Sequence, residues 1–434
     1  MEGVLDLRYS LEVNGLPTQP PRRSRWPLIV RSRWIPLLTC ALLFGFSLGS
    51  ADGDEQNKAD ETYNVALFTG SEKNVLFWDL FAEFMRVAGK DLGLELEVFY
   101  AEGNRNKMRS QIREVCRRSK KPDAIVVQSF KRNGPSCLKI AERNKVPIFL
   151  VNAGLTGLTD QQKAAIGKPG EKLKYWIGEM YPDDQDAGYQ LANALIDEAL
   201  KDPKRLGPDG RVHVIGLNGV VSDGASIERA AGLKKAIEER SDVATLDQLV
   251  PADWDQADAQ FRCKVLHRRY PNASVIWCAS DPMALGAIEA MRQRGKAPGT
   301  DVFIGGVDAI DRGTMDLIDA GTLSASVGGH YMDGGWVVVL LYDYFHRVDI
   351  SGKGVRRLSQ MTLVTKSNLD EYRPGLEKST WETTDFRRFS HHHHPELKDY
   401  QFSLGATATA SSSEKPSTGD NGEDASKDDD RKIE

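Results

Sequence analysis

From Tyr63 to Gly329 the chain alternates short apolar runs with amphipathic ones, and this alternation constrains the fold more than any other feature. YNVALFTG, DAIVVQSF, VPIFLVNA, RVHVIGLNG, VIWCAS and FIGGVD are apolar with little period-two pattern, as expected of parallel strands covered on both faces. Between them lie segments with apolar residues at helical spacing, such as NVLFWDLFAEFMRVAGKDLG and DQDAGYQLANALIDEALKD. Repeated strand–helix units predict an α/β protein with doubly wound parallel sheets and right-handed crossovers. The units are too many for one sheet. Two Rossmann-like lobes are therefore expected, with a break between Ile177 and Asp186 and a small-molecule cleft between them.

The stretch VIWCASDPMALGAIEAMRQRGKAPGTDVFIGGVD, from Val275 to Asp308, shows how such a unit makes a site. It reads as strand, helix, strand. Asp281 is placed to cap the helix and Pro282 to occupy its first position, where a missing N–H costs nothing. Ser280, Asp281 and Asp308 then fall at the carboxyl ends of neighbouring strands, where open α/β sheets bind ligands.

The ends differ from the body. A basic region (Arg22, Arg23, Arg25, Arg31, Arg33), an apolar run from Trp34 to Leu48 and small residues at Gly49-Ser50-Ala51 have the order of a secretory signal over residues 1–51. The run is shorter than the roughly 20 residues that a spanning helix needs. An uncleaved signal anchor is the alternative. Cys40 is a poor lipid-attachment site, because Thr39 precedes it and the apolar run continues past it. The expected product is exported to the periplasm, without stable membrane insertion. Residues 406–434 carry eight acidic and four basic residues with almost no apolar content, the composition of a disordered tail.

Composition excludes some classes. A net charge of −5 without a basic stripe argues against nucleic acid as a partner. There is no P-loop, no G-x-S-x-G and no zinc-like spacing, so no enzyme, cofactor or metal is expected. Export permits disulfides. Cys116 and Cys137 are the candidate pair, on consecutive predicted helices of one sheet face; Cys263 and Cys278 are weaker candidates. The run His391–His394 reads as a solvated linker loop, with metal scavenging the lesser alternative.

The motifs VALFTGSEKNVLFW, PDAIVVQ, VPIFLVN, VHVIGLNGVVSDGASIERAAGL, PADWDQ, WCASDPMALGAIEAM, FIGGVDAIDRGTMDLIDAGTLSASV and GGHYMDGG come in an order that is specific as a set. Over Tyr63 to Thr365 the chain resembles the type I periplasmic binding proteins, in the sugar-binding branch that includes ribose-binding protein. The resemblance implies two lobes joined by a three-crossing hinge and closing over a sugar-like ligand. It implies an N-terminal lobe of about 62–178 plus 330–350 and a C-terminal lobe of about 179–329 plus 351–370. Residues 371–405 lie outside the family core. The partner would be an ABC permease or, alternatively, a membrane sensor kinase or cyclase, and the protein a monomer. The resemblance places Asp308 as an acceptor of sugar hydroxyls and Arg229 as the donor fork. Trp254 would be the aromatic plate, and Asn74 a polar contact. Of Phe77 and Trp78, one faces ligand and one the lobe core. The chain departs from ribose binders at Asn152-Ala153, at Ser280-Asp281 and at Gly329-His330. Asn152 can still donate and accept, His330 is either a substitute donor or a hinge residue, and Asp281 is either a contact or a cap.

Overall fold

The computed structural model describes residues 62–350 and 356–402. The signal-like segment, Cys40 and the acidic tail lie outside the described residues. Twelve strands form two six-stranded sheets among the described residues. The first has the order β11-β5-β4-β3-β1-β2, from β1 (Tyr63–Thr69), β2 (Leu94–Tyr100), β3 (Ala124–Gln128), β4 (Ile148–Val151), β5 (Trp176–Pro182) and β11 (Arg356–Ser359). The second has the order β12-β10-β9-β8-β6-β7, from β6 (Val212–Asn218), β7 (Ala244–Pro251), β8 (Ala273–Cys278), β9 (Phe303–Asp308), β10 (Ala325–Gly328) and β12 (Thr362–Val364). All pairings are parallel except that of β10 with β12.

Helices connect the strands: α1 (Leu76–Leu92), α2 (Arg105–Val115), α3 (Gly134–Asn144), α4 (Asp160–Ile166), α5 (Asp184–Leu200), α6 (Gly224–Glu239), α7 (Gln256–Arg269), α8 (Asp281–Gln293), α9 (Arg312–Asp319), α10 (Asp333–Phe345), α11 (Leu369–Tyr372) and α12 (Lys378–Glu382). Their starts follow local chemistry. Asn104 accepts from the N–H groups of Asn106 and Lys107 at the start of α2, and Thr159 and Gln162 form a reciprocal capping box on α4. Gly93 ends α1 in the left-handed conformation.

The first sheet has apolar clusters on both faces, one holding Phe81, Phe84 and Trp336, the other Phe68, Ile125 and Trp176. The second sheet shares one cluster that includes Trp277, Leu191 and Met283. Side chains such as Phe68, Phe81 and Phe149 are fully buried, each worth about 1.5–3 kcal/mol of transfer free energy.

The chain passes between sheets three times: from β5 into α5, from β10 into α10, and from β11 to β12. The lobe boundaries expected from sequence need correction. The first lies after Pro182 rather than at residue 178, because β5 continues through Pro182 alongside β4 and β11. Residues 356–359 belong to the N-terminal sheet, not the C-terminal lobe, because they pair with Glu179–Pro182.

The cysteine pairing is also corrected. Cys116, Cys137, Cys263 and Cys278 are all free thiols and all buried. Burial holds the Cys116 thiol up at about 11 and those of Cys137 and Cys263 at about 12. These side chains act as small core residues.

Residues 369–402 pack on the body. Trp381, Phe386 and Phe389 join the aromatic cluster around Phe84 and Trp336. The histidine run is not a solvated linker. The Asp343 carboxylate accepts from the backbone N–H groups of His391 and His392, and the ring of His391 stacks on Tyr400 at 4.0 Å. Among the described residues, no group of three or more His, Cys, Asp or Glu side chains is arranged to hold a metal ion.

Candidate functional site

The second sheet ends in Asn218, Cys278 and Asp308 at the tips of β6, β8 and β9. Beside them lies Arg229, on the second turn of α6. Its position depends on a close helix crossing. A Cβ on Gly188 of α5 would fall 2.1 Å from the Arg229 carbonyl oxygen, and one on Gly232 would fall 1.9 Å from the Gln185 carbonyl oxygen. These two glycines let α5 and α6 touch backbone to backbone, which brings the Asp184 carboxylate within 2.7 Å of Arg229 Nε.

Arg229 is 4% exposed, and each of its three nitrogens has a protein partner. Nη1 donates to the Ala279 carbonyl at 2.7 Å and lies 3.8 Å from Asp308 Oδ1; Nη2 lies 3.3 Å from His330 Nε2. The guanidinium also stands 5.8 Å over the Trp254 ring. Asp308 Oδ1 is 3.7 Å from His330 Nε2. Burial pushes the Asp308 carboxyl well up; Arg229 pulls it down, while Asp281 raises it further. Burial and Arg229 hold the His330 imidazole well below its ordinary value, so it is neutral. Burial also raises Asp184, with Arg229 opposing.

Aromatic rings lie on two sides of this charged set. The Phe77 ring, from α1 of the N-terminal lobe, lies 4.7 Å from the His330 imidazole. Trp78 points the other way, into the N-terminal core, where it packs on Phe81. Phe77 is therefore the ring of the pair on the site side. Trp254 covers Gly219, where a Cβ would fall 2.1 Å from the indole, and its Nε1 donates to Asp223 Oδ2 at 3.1 Å. Asn152 is half-buried at the tip of β4, and Asn74 is exposed in the turn before α1.

Four of the expected contacts share a backbone feature. Asn74, Asn152, Trp254 and Asp308 have φ of 64°, 64°, 67° and 144°, a region costly for residues other than glycine. Such strain clusters at ligand sites. Four buried polar atoms nearby lack a partner among the described residues: Asn218 Oδ1, Ser226 Oγ, Ser280 Oγ and His330 Nδ1.

Asp281 is not the helix cap. Ser280 holds the N-cap position of α8, without a side-chain bond. The Asp281 carboxylate accepts from Ala309 N–H at 2.7 Å and from Ser326 Oγ at 2.6 Å, tying β8 to β9 and β10. Burial raises it to about 6.

Two carboxylates escaped the sequence reading. Asp184 follows β5 and pairs with Arg229. Asp223 is at the N-cap of α6 but makes no cap bond. Its Oδ1 instead accepts from the N–H of Lys131, in the opposite lobe, at 3.1 Å. An Asp-Gly pair at a helix start was the available signal. The lobes touch here, since a Cβ on Gly224 would fall 2.8 Å from Ala153 Cβ. A cavity of about 750 Å³ lies alongside, lined by Ala153, Tyr181, Asp184 and Glu228 among others. Asp184, the partner of Arg229, is part of its wall.

Residues 65–344 match the periplasmic binding protein domain family. The D-allose-binding periplasmic protein of Escherichia coli is 25% identical over 273 residues, 62% of this chain and 80% of that protein. A ribose import binding protein of Haemophilus influenzae is 25% identical over 67% of this chain and 85% of that protein. The crystal structure of a periplasmic sugar-binding protein from Pseudomonas fluorescens superimposes with a TM-score of 0.70 at 29% identity, covering 80% of this chain and 99% of that one.

Proposed function

The chain belongs to the periplasmic binding protein domain family, and from that premise we propose that it is an exported receptor that binds a sugar or sugar-like molecule between its lobes for an ABC importer. The observation that carries this reading is the buried Arg229–Asp308–His330 group at the strand tips, with Phe77 and Trp254 beside it. A sugar presents hydroxyls at its edge and C–H groups on its faces. Arg229 supplies a rigid donor fork to ring and hydroxyl oxygens. Asp308 accepts hydroxyl protons, which supply the donors that stabilise its charged form. Neutral His330 donates from one nitrogen and accepts at the other. The rings pack against the apolar faces.

The relatives named for allose and ribose support a sugar as the ligand class. Replacement of the ribose binders' Asp-Arg by Asn152-Ala153 supports a ligand other than ribose. The basic–apolar–small order of residues 1–51 supports export to the periplasm through a cleaved signal.

The test is a thermal-shift and calorimetric screen of pentoses, hexoses, their furanosides and polyols. A ligand of the folded state raises the melting temperature by mass action. Asp308→Ala and Arg229→Ala should abolish the shift. A panel without any binder, normal binding by both variants, or turnover of the bound sugar would sink the proposal.

A further inference from the structure

The Asp308 turn has two consecutive residues at positive φ, Asp308 at 144° and Ala309 at 49°. Neither is glycine, and each such conformation persists only when its surroundings hold it. The peptide groups of Ala309 are held from opposite sides. Its N–H donates to Asp281 Oδ2 at 2.7 Å. Its carbonyl accepts from the hydroxyl of Tyr372 at 3.0 Å. Gly328 completes the cradle: a Cβ there would fall 2.2 Å from the Asp308 carbonyl oxygen and 2.7 Å from Tyr372 Oη.

Tyr372 lies beyond the matched family domain, which ends at residue 344. It is 4% exposed and sits at the end of α11, in a segment fastened to both lobes. On the C-terminal lobe, Arg373 pairs with Asp316 at 3.1 Å and Glu377 with Arg312 at 2.7 Å. On the N-terminal side, Tyr331 donates to the Gly375 carbonyl at 2.9 Å and Lys378 pairs with Glu83 at 2.6 Å. The hydroxyl that reaches Ala309 is thus held by a rigid support.

We propose that Tyr372 is a positioning residue for ligand binding: its hydroxyl fixes the Ala309 carbonyl and so aims the Asp308 carboxylate, making affinity depend on the segment C-terminal to the family domain. This rests on the reading of Asp308 as a sugar contact. Tyr372 itself does not touch the ligand.

The experiment uses the full chain and, as probe, the pentose or hexose of the screen that gives the largest thermal shift. Tyr372→Phe keeps the ring and removes one oxygen. It should weaken binding about tenfold, because a buried carbonyl loses its only side-chain donor among the described residues. Trp381→Phe removes another bond of the same segment without touching the turn. It should lower the melting temperature of the ligand-free protein and leave affinity within about twofold. A double-mutant cycle with Asp308→Asn gives the decisive readout. If the hydroxyl acts through Asp308, the double variant binds more tightly than the product of the two single losses allows.

Normal binding by Tyr372→Phe, equal weakening by Trp381→Phe, or strictly multiplicative losses in the cycle would each overturn the positioning role and leave the sugar reading intact. Failure of the unaltered protein to bind any sugar would overturn the sugar reading, and the positioning role with it.

Discussion

Replacing Arg229 with Met tests the electrostatics of the site directly. The guanidinium is the only cation within 4 Å of Asp184 and Asp308 among the described residues, at 2.7 and 3.8 Å, apart from the neutral His330. All three side chains are nearly inaccessible, so solvent screens their interactions little. Removing one partner of a buried pair costs about 3–5 kcal/mol, because the remaining charge is uncompensated. For a domain of this size, that corresponds to a fall in melting temperature on the order of 10 °C. The loss should depend on pH. Arg229 pulls both carboxyls down against burial, so its removal lifts their folded values further. The folded variant then keeps protons that the unfolded chain releases above its ordinary carboxylate value. Its stability therefore falls with rising pH over a wider window than the parent's, by up to about 1.4 kcal/mol per pH unit for each carboxyl. Urea unfolding followed by tryptophan fluorescence, at about pH 5 and about pH 8, measures the deficit. It should be larger at the higher pH, and Asp184→Asn in the Arg229→Met background should recover part of it. A deficit below about 1 kcal/mol, or one equal at both pH values, would refute the reasoning.

Other outcomes follow from single contacts. Burial raises the Asp333 carboxyl to about 8, and its Oδ2 accepts from Ser359 Oγ at 2.7 Å. The folded state holds this proton where the unfolded chain has lost it, so the parent loses stability as pH rises from about 4 to 8. Asp333→Asn should gain on the parent over that window in urea unfolding; an unchanged gap would contradict the assignment. Gly219→Ala should displace the Trp254 indole, shift its fluorescence and cost about 1–3 kcal/mol of stability, with weaker sugar binding in calorimetry. The buried thiols should resist alkylation in the folded protein, and all four described cysteines should label on unfolding without reductant; a pair that labels only after reduction would show a disulfide.

How far the site could be read from sequence depended on which interactions make it. The place of Asp308 at a strand tip was legible because an apolar run ends in a carboxylate there. Asp281 was misread because Ser280-Asp281-Pro282 suits a helix start in two registers. Its bonds to Ala309 and Ser326, 28 and 45 residues away, decide its role, and local spacing cannot report them. The Asp184–Arg229 pair depends on the crossing of α5 and α6 at Gly188 and Gly232, two glycines that look alike in sequence whether they pack or merely interrupt a helix. Residues 369–402 were illegible for a related reason. Their aromatics follow no helical or strand period, since they are spaced to meet Phe84 and Trp336 on other elements. Local periodicity therefore located the strand tips. Long-range contacts fixed which groups at those tips are committed to the fold, as Asp281 is, and which meet one another, as Arg229, Asp308 and His330 do.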